Sequence, residues 1–109
     1  MGNQSKATMS KPTDPVVIRV WKGDDTDVFA LFPADPADNY GRICTSYQHI
    51  GQHAGADYGH CIANSRPAKC REAAPLLAEL RRIGYRPHVL KRVSRRHHET
   101  RLAIARGAA

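Results

Sequence analysis

The chain has 109 residues, enough for one domain with one core and too few for two. Apolar residues make up 41% of it and charged residues 25%, the balance of a globular protein, and no run approaches the roughly eighteen apolar residues of a membrane span. The net charge of +7 is unevenly placed: residues 1–65 hold five Lys and Arg against seven Asp, whereas residues 66–109 hold twelve against three Glu. The C-terminal part is therefore strongly basic and points to an anionic partner, either nucleic acid or an acidic or nucleoprotein surface, rather than a membrane.

Residues 1–15 are polar, carry two prolines, and read as a disordered lead-in. They lack the apolar stretch of a signal peptide. Three cysteines (Cys44, Cys61, Cys70) fit no disulfide framework, so the expected location is a reducing cytoplasm. Val16–Trp21 is dense in β-branched residues and reads as a strand. Gly23, Asp24 and Asp25 make a turn, and Val28–Phe32 supplies a second strand antiparallel to the first. The three aspartates at 24, 25 and 27 lack the spacing and distal Glu of a calcium loop, so they read as a solvated turn. Pro33 and Pro36 predict an irregular crossing from 33 to 39.

Residues 40–47 read as a third strand and Tyr58–Asn64 as a weaker fourth. A helix follows, with Ala73, Leu76, Leu77, Leu80 and Ile83 at 3-to-4 spacing, Glu79, Arg81 and Arg82 outside, and Gly84 as its stop. Pro75 either sets the helix start or kinks its first turn. Strand character resumes over 85–93. The expectation is a single α+β domain over 16–93, a mostly antiparallel sheet of four to five strands in the order β-β-β-β-α-β with one main helix packed on a face. Residues 94–109 follow as a basic C-terminal tail or a short surface helix that orders against a partner.

The densest chemistry lies in residues 46–60, where three His, two Tyr, two Gln, one Asp and three Gly fall within fifteen positions. His49-x3-His53-x3-Asp57 would place two imidazoles and a carboxylate on one helical face, a set suited to zinc or another divalent metal. Gly51 and Gly55 argue against that helix, and neither CxxC nor HExxH spacing is present. The plainer alternative is a hydrogen-bonded loop, with no cofactor. Cys44 or Cys61 as nucleophile, with His49, His53 or His60 as base and Asp57 orienting it, would make a small enzyme; buried strand cysteines are more often packing. For nucleic acid, Arg86, Lys91, Arg92, Arg95, Arg96 and Arg101 would engage phosphates and Tyr47 and Tyr58 would stack on bases, with His60 beside them. His97 and His98 would add charge below a pH of about 6.5.

Ala30-Leu31-Phe32-Pro33, the segment Ser46-Tyr47-Gln48-His49-Ile50-Gly51-Gln52-His53, Ala56-Asp57-Tyr58, Arg66-Pro67-Ala68, Leu77-Ala78-Glu79-Leu80 and Ile83-Gly84-Tyr85 together resemble a family of short uncharacterised proteins of bacterial plasmids, integrative elements and phages. The likeness spans roughly residues 16–93. The chain departs from it at Lys69-Cys70-Arg71 and Pro75, which makes that face more basic. The resemblance implies a cytoplasmic accessory protein of a mobile genetic element, acting in element maintenance or as an inhibitor of a host defence system. The function expected from all of this is a non-enzymatic module that binds an anionic partner, with a metal-dependent or Cys/His enzyme centred on His49, His53 and Asp57 as the alternative.

Overall fold

The structure, a computed structural model, describes residues 13–24, 26–48 and 52–107, with Gln52 and His53 described by their backbone alone. It is an α+β fold: a six-stranded, largely antiparallel sheet with three helices packed against it among the described residues. The strands are β1 (Asp14–Trp21), β2 (Val28–Pro36), β3 (Cys44–Gln48), β4 (Gln52–Ala56), β5 (Ser65–Pro67) and β6 (Pro87–Val89). The helices are α1 (Tyr58–Ala63), α2 (Cys70–Arg82) and α3 (Arg95–Ala105). Sheet order is β4-β3-β2-β1-β5, and the same outer side of β1 also takes β6. β5 pairs antiparallel with Arg19–Trp21, and β6 pairs parallel with Asp14–Val16.

The sheet has a helix on each face, and the period of two in its strands sorts the core accordingly. Val16, Ile18, Ala30, Phe32 and Tyr47 point to α2 and pack on Ala73, Leu76 and Leu80. Val17, Phe29, Leu31 and Cys44 point the other way and pack on Cys61, with Tyr58 and Ile62 of α1 beside them. β2 is covered on both sides, which is why Phe29–Pro33 runs apolar without alternation. The strand does not stop at Pro33: it continues to Pro36, with a register shift against β3 between Phe32 and Pro36.

Four further expectations are corrected. Tyr58–Asn64 is a helix instead of a strand, because the Asp57 carboxylate accepts from the His60 N–H and caps a turn that buries Cys61. The fourth strand is Gln52–Ala56, inside the segment expected to be a loop; it gains its conformation by pairing with β3 from Cys44↔Ala56 to Gln48↔Gln52. Glu79 is not outside but 6% exposed, three residues after Leu76 and one before Leu80, where its carboxylate accepts from the Tyr47 hydroxyl. Strand character after α2 ends at Val89.

α2 starts at Cys70, five residues before Pro75, which lies exposed in the second turn. Its start is fixed by Glu72, which accepts from the Lys69 N–H at 2.8 Å and from Arg66 Nη1 and Nη2 at 2.9 and 2.8 Å. Its end is the Gly84 turn expected from sequence: at φ +114° Gly84 lets its own N–H reach Arg81 O and the Tyr85 N–H reach Leu80 O.

Candidate functional site

Residues 46–60 carry most of their chemistry inward or into caps. Tyr47 is 1% exposed and bound to Glu79, so it belongs to the core and offers no ring for stacking. Tyr58 is half-buried, with its ring edge-on to His98 at 4.9 Å. Asp57 is committed as the α1 cap. His60 is exposed, with its Nδ1 3.4 Å from the Asn64 amide. His49 lies outside the described residues, and His53 is placed only as the register partner of Tyr47. Among the described residues no three His, Cys, Asp or Glu side chains gather as a metal site.

A hollow of about 260 Å³ does form beside Asp57, His60 and Cys61, floored by the stacked rings of Trp21 and Phe29. It is smaller than the roughly 300–1,000 Å³ of ordinary ligand pockets. The two buried thiols are poor nucleophiles: burial pushes Cys44 up to about 11, and it raises Cys61 as well. At neutral pH neither holds an appreciable thiolate fraction.

The basic C-terminal part divides into one cation that faces inward and many that face out. Arg101, expected to contact phosphate, is 8% exposed. Its Nε donates to Gly41 O at 2.8 Å, and its Nη1 to Pro33 O at 2.7 Å and to His98 Nδ1 at 2.8 Å. It thereby holds α3 against β2 and the loop before β3. That loop is shaped for the contact: Asp38 Oδ1 accepts from the Gly41 and Arg42 N–H groups, and Gly41 turns at φ +76°. A Cβ there would lie 3.1 Å from Leu102 Cα and from Ala105 Cβ. Since His98 Nδ1 accepts from Arg101, the imidazole is neutral; burial first, then Arg101 and His97, hold its pKa below the ordinary value.

The other expected cations stand in water. Arg86, Lys91, Arg92, Arg95 and Arg96 are all exposed, and so are Lys69, Arg71, Arg81, Arg82 and Arg106. The backbone N–H of Arg86 is tied to Asp14 Oδ2 at 2.7 Å, and Asp14 N–H returns to Arg86 O, which fixes the start of β6. Arg81 and Lys91 line one groove between α2 and β6. Two of the three carboxylates of this half are taken up within the fold, Glu72 by Arg66 and Glu79 by Tyr47, which leaves Glu99 as the exposed one. The fold thus sharpens a charge imbalance that composition already showed.

Sequence reasoning missed the Tyr47–Glu79 pair, the anchoring role of Arg101 and the α2–β6 groove. Glu79 was detectable, since it falls within the Leu76–Leu80 stripe. The groove was not, because it depends on β5 and β6 sharing one side of β1.

Fold and surface define a small α+β domain whose C-terminal half presents a cation-rich exterior. No family model, no curated protein and no solved structure matches the chain, so its own residues carry the functional reading.

Proposed function

We propose that the protein is a non-enzymatic binding module that engages an anionic partner through its C-terminal half. One observation carries this reading: in residues 66–107, ten Lys and Arg side chains are exposed against a single exposed carboxylate, Glu99. Such a surface raises the local concentration of anions and accelerates encounter with a polyanion. Arg81, Arg82, Arg86, Lys91, Arg92, Arg95 and Arg96 are the contact residues, and nucleic acid or a nucleoprotein surface is the partner class. With Tyr47 in the core and Tyr58 half-covered, recognition is led by charge and shape and not by base stacking. The motif resemblance supports a setting in a mobile genetic element, as an accessory protein directed at a host defence complex. Three free cysteines fit a reducing cytoplasm, and no described helix is long and apolar enough to cross a membrane.

The test is fluorescence anisotropy with two labelled probes, a DNA duplex of about 20 base pairs and poly-glutamate, over a salt series. Binding of either probe that weakens steeply as salt rises supports the reading, because each phosphate neutralised contributes about 0.9 to the slope on DNA. Neither probe binding at low salt would refute it.

A further inference from the structure

The groove between α2 and β6 joins an apolar floor to cationic ends, whereas Asp14 and Asp35 line the apolar hollow beside Arg96. The groove encloses about 670 Å³. Ile18 and Ala73 are buried at its base, and Leu77 and Leu90 are half-buried along it. Ala74 and Val89 form exposed lips, with Val89 46% open to water. Cys70, Ala74, Leu77 and Arg81 recur at 3-to-4 spacing, so one side of α2 makes one wall and ends it with a cation. The other wall ends in Lys91. No carboxylate and no aromatic ring lines the groove among the described residues.

We infer that this groove docks a segment of an acidic partner protein, with aliphatic side chains seated on its floor and carboxylates set against Arg81 and Lys91. The inference rests on the anionic-partner reading and narrows it to one class. A phosphate backbone gains nothing from an aliphatic floor, and a nucleotide base would find no ring to stack on. A small carboxylate ligand would expect to be largely enclosed, whereas Cys70, Ala74, Arg81, Val89 and Lys91 all face water. An apolar strip flanked by cations matches a peptide whose apolar residues anchor it and whose acidic residues fix its register.

The probe is a synthetic amphipathic peptide with Leu at positions i, i+3, i+4 and i+7 and Glu elsewhere. Its two controls replace Glu by Lys, or Leu by Ser. Titrated into isotopically labelled full-length protein, the Leu/Glu peptide is expected to shift the amide resonances of Ala74, Leu77, Val89 and Lys91. It should bind at least tenfold more tightly than either control. Ala74→Trp, which fills the groove from an exposed helix position, should weaken that peptide tenfold or more and leave duplex DNA affinity unchanged. Alkylating Cys70, exposed where Cys44 and Cys61 are buried, should weaken it without any substitution and so covers the case in which Ala74→Trp fails to fold.

Equal binding of the Ser control overturns the groove and leaves polyanion binding standing, because charge alone would then suffice. Undiminished binding of the Leu/Glu peptide to alkylated protein overturns the groove in the same way. If peptide and duplex both fail to bind, the anionic-partner reading falls with it.

Discussion

Both sides of the sheet bury an ionisable side chain, and they do so under opposite circumstances. On the α2 side, Glu79 sits among Ala73, Leu76 and Leu80 and accepts from a neutral phenol. Where α3 meets β2, Arg101 is the buried residue of its helix and bonds two carbonyls and a neutral imidazole. α2 is therefore held by apolar packing that a polar pair merely completes. α3, whose Leu102 and Ala103 are only half-buried and whose Ile104 is 41% exposed, buries fewer apolar side chains and adds the Arg101 guanidinium to the Tyr58–His98 ring contact and the packing of Leu102 and Ala105 on Gly41. A helix of the second kind should be more sensitive to the loss of its buried guanidinium than α2 is to the loss of its polar pair.

That contrast can be broken first at Arg101. Arg101→Ala leaves the carbonyls of Gly41 and Pro33 without their donor, and should cost about 3 kcal/mol in urea denaturation. Hydrogen exchange in α3 should rise more than in α2. Equal protection loss in both helices would show that α3 is no separate unit. Next, Tyr47→Phe removes the hydroxyl that donates to Glu79 and is expected to cost about 1–2 kcal/mol, with α2 still protected. Gly41→Ala should also cost about 1–2 kcal/mol, since it forces a side chain into the left-handed region against Leu102 and Ala105. An unchanged midpoint would mean the loop relaxes away from α3.

The smallest effect is a pH dependence. The folded state lowers the His98 pKa, so the unfolded chain takes the proton first as pH falls. This contribution is fully present above a pH of about 6.5, the ordinary histidine value, and is lost as pH drops through the lower folded value. Replacing His98 with Gln should flatten that part of the stability profile; a profile of unchanged shape would show that His98 contributes nothing to it. Glu72, held at about 2 by Arg66 first and the Lys69 N–H second, acts in the same direction at lower pH. Its share is present above the ordinary carboxylate range and disappears as pH falls towards 2.

The parts of this fold that were legible in the sequence are those whose pattern has a period. β1 and β2 declared themselves as short apolar runs, α2 by its 3-to-4 stripe, and its end by Gly84. The parts that were not legible owe their form to partners distant in sequence. Gln52–Ala56 has little intrinsic preference for a strand and becomes one through β3. α1 is six residues long, too short to show periodicity, and only Asp57 marks its start. α3 has a weak apolar face, so nothing local revealed that Arg101 turns inward. Of the site residues, the exposed cations were readable from composition. Tyr47 looks like a surface ring in sequence because its partner Glu79 lies 32 residues away.

On the proposed reading the basic half divides its labour: Arg101 holds the fold, and the outward cations engage the partner. The most direct test replaces Arg92, Arg95 and Arg96 together with Ala, and measures thermal midpoint and duplex DNA affinity across salt on the same preparation. The midpoint should stay within the range of ordinary surface substitutions, about 0.5 kcal/mol in stability. The slope of log affinity against log salt should flatten by about 2 to 3. An unaltered slope and affinity, or a stability loss comparable to that of Arg101→Ala, would contradict that division.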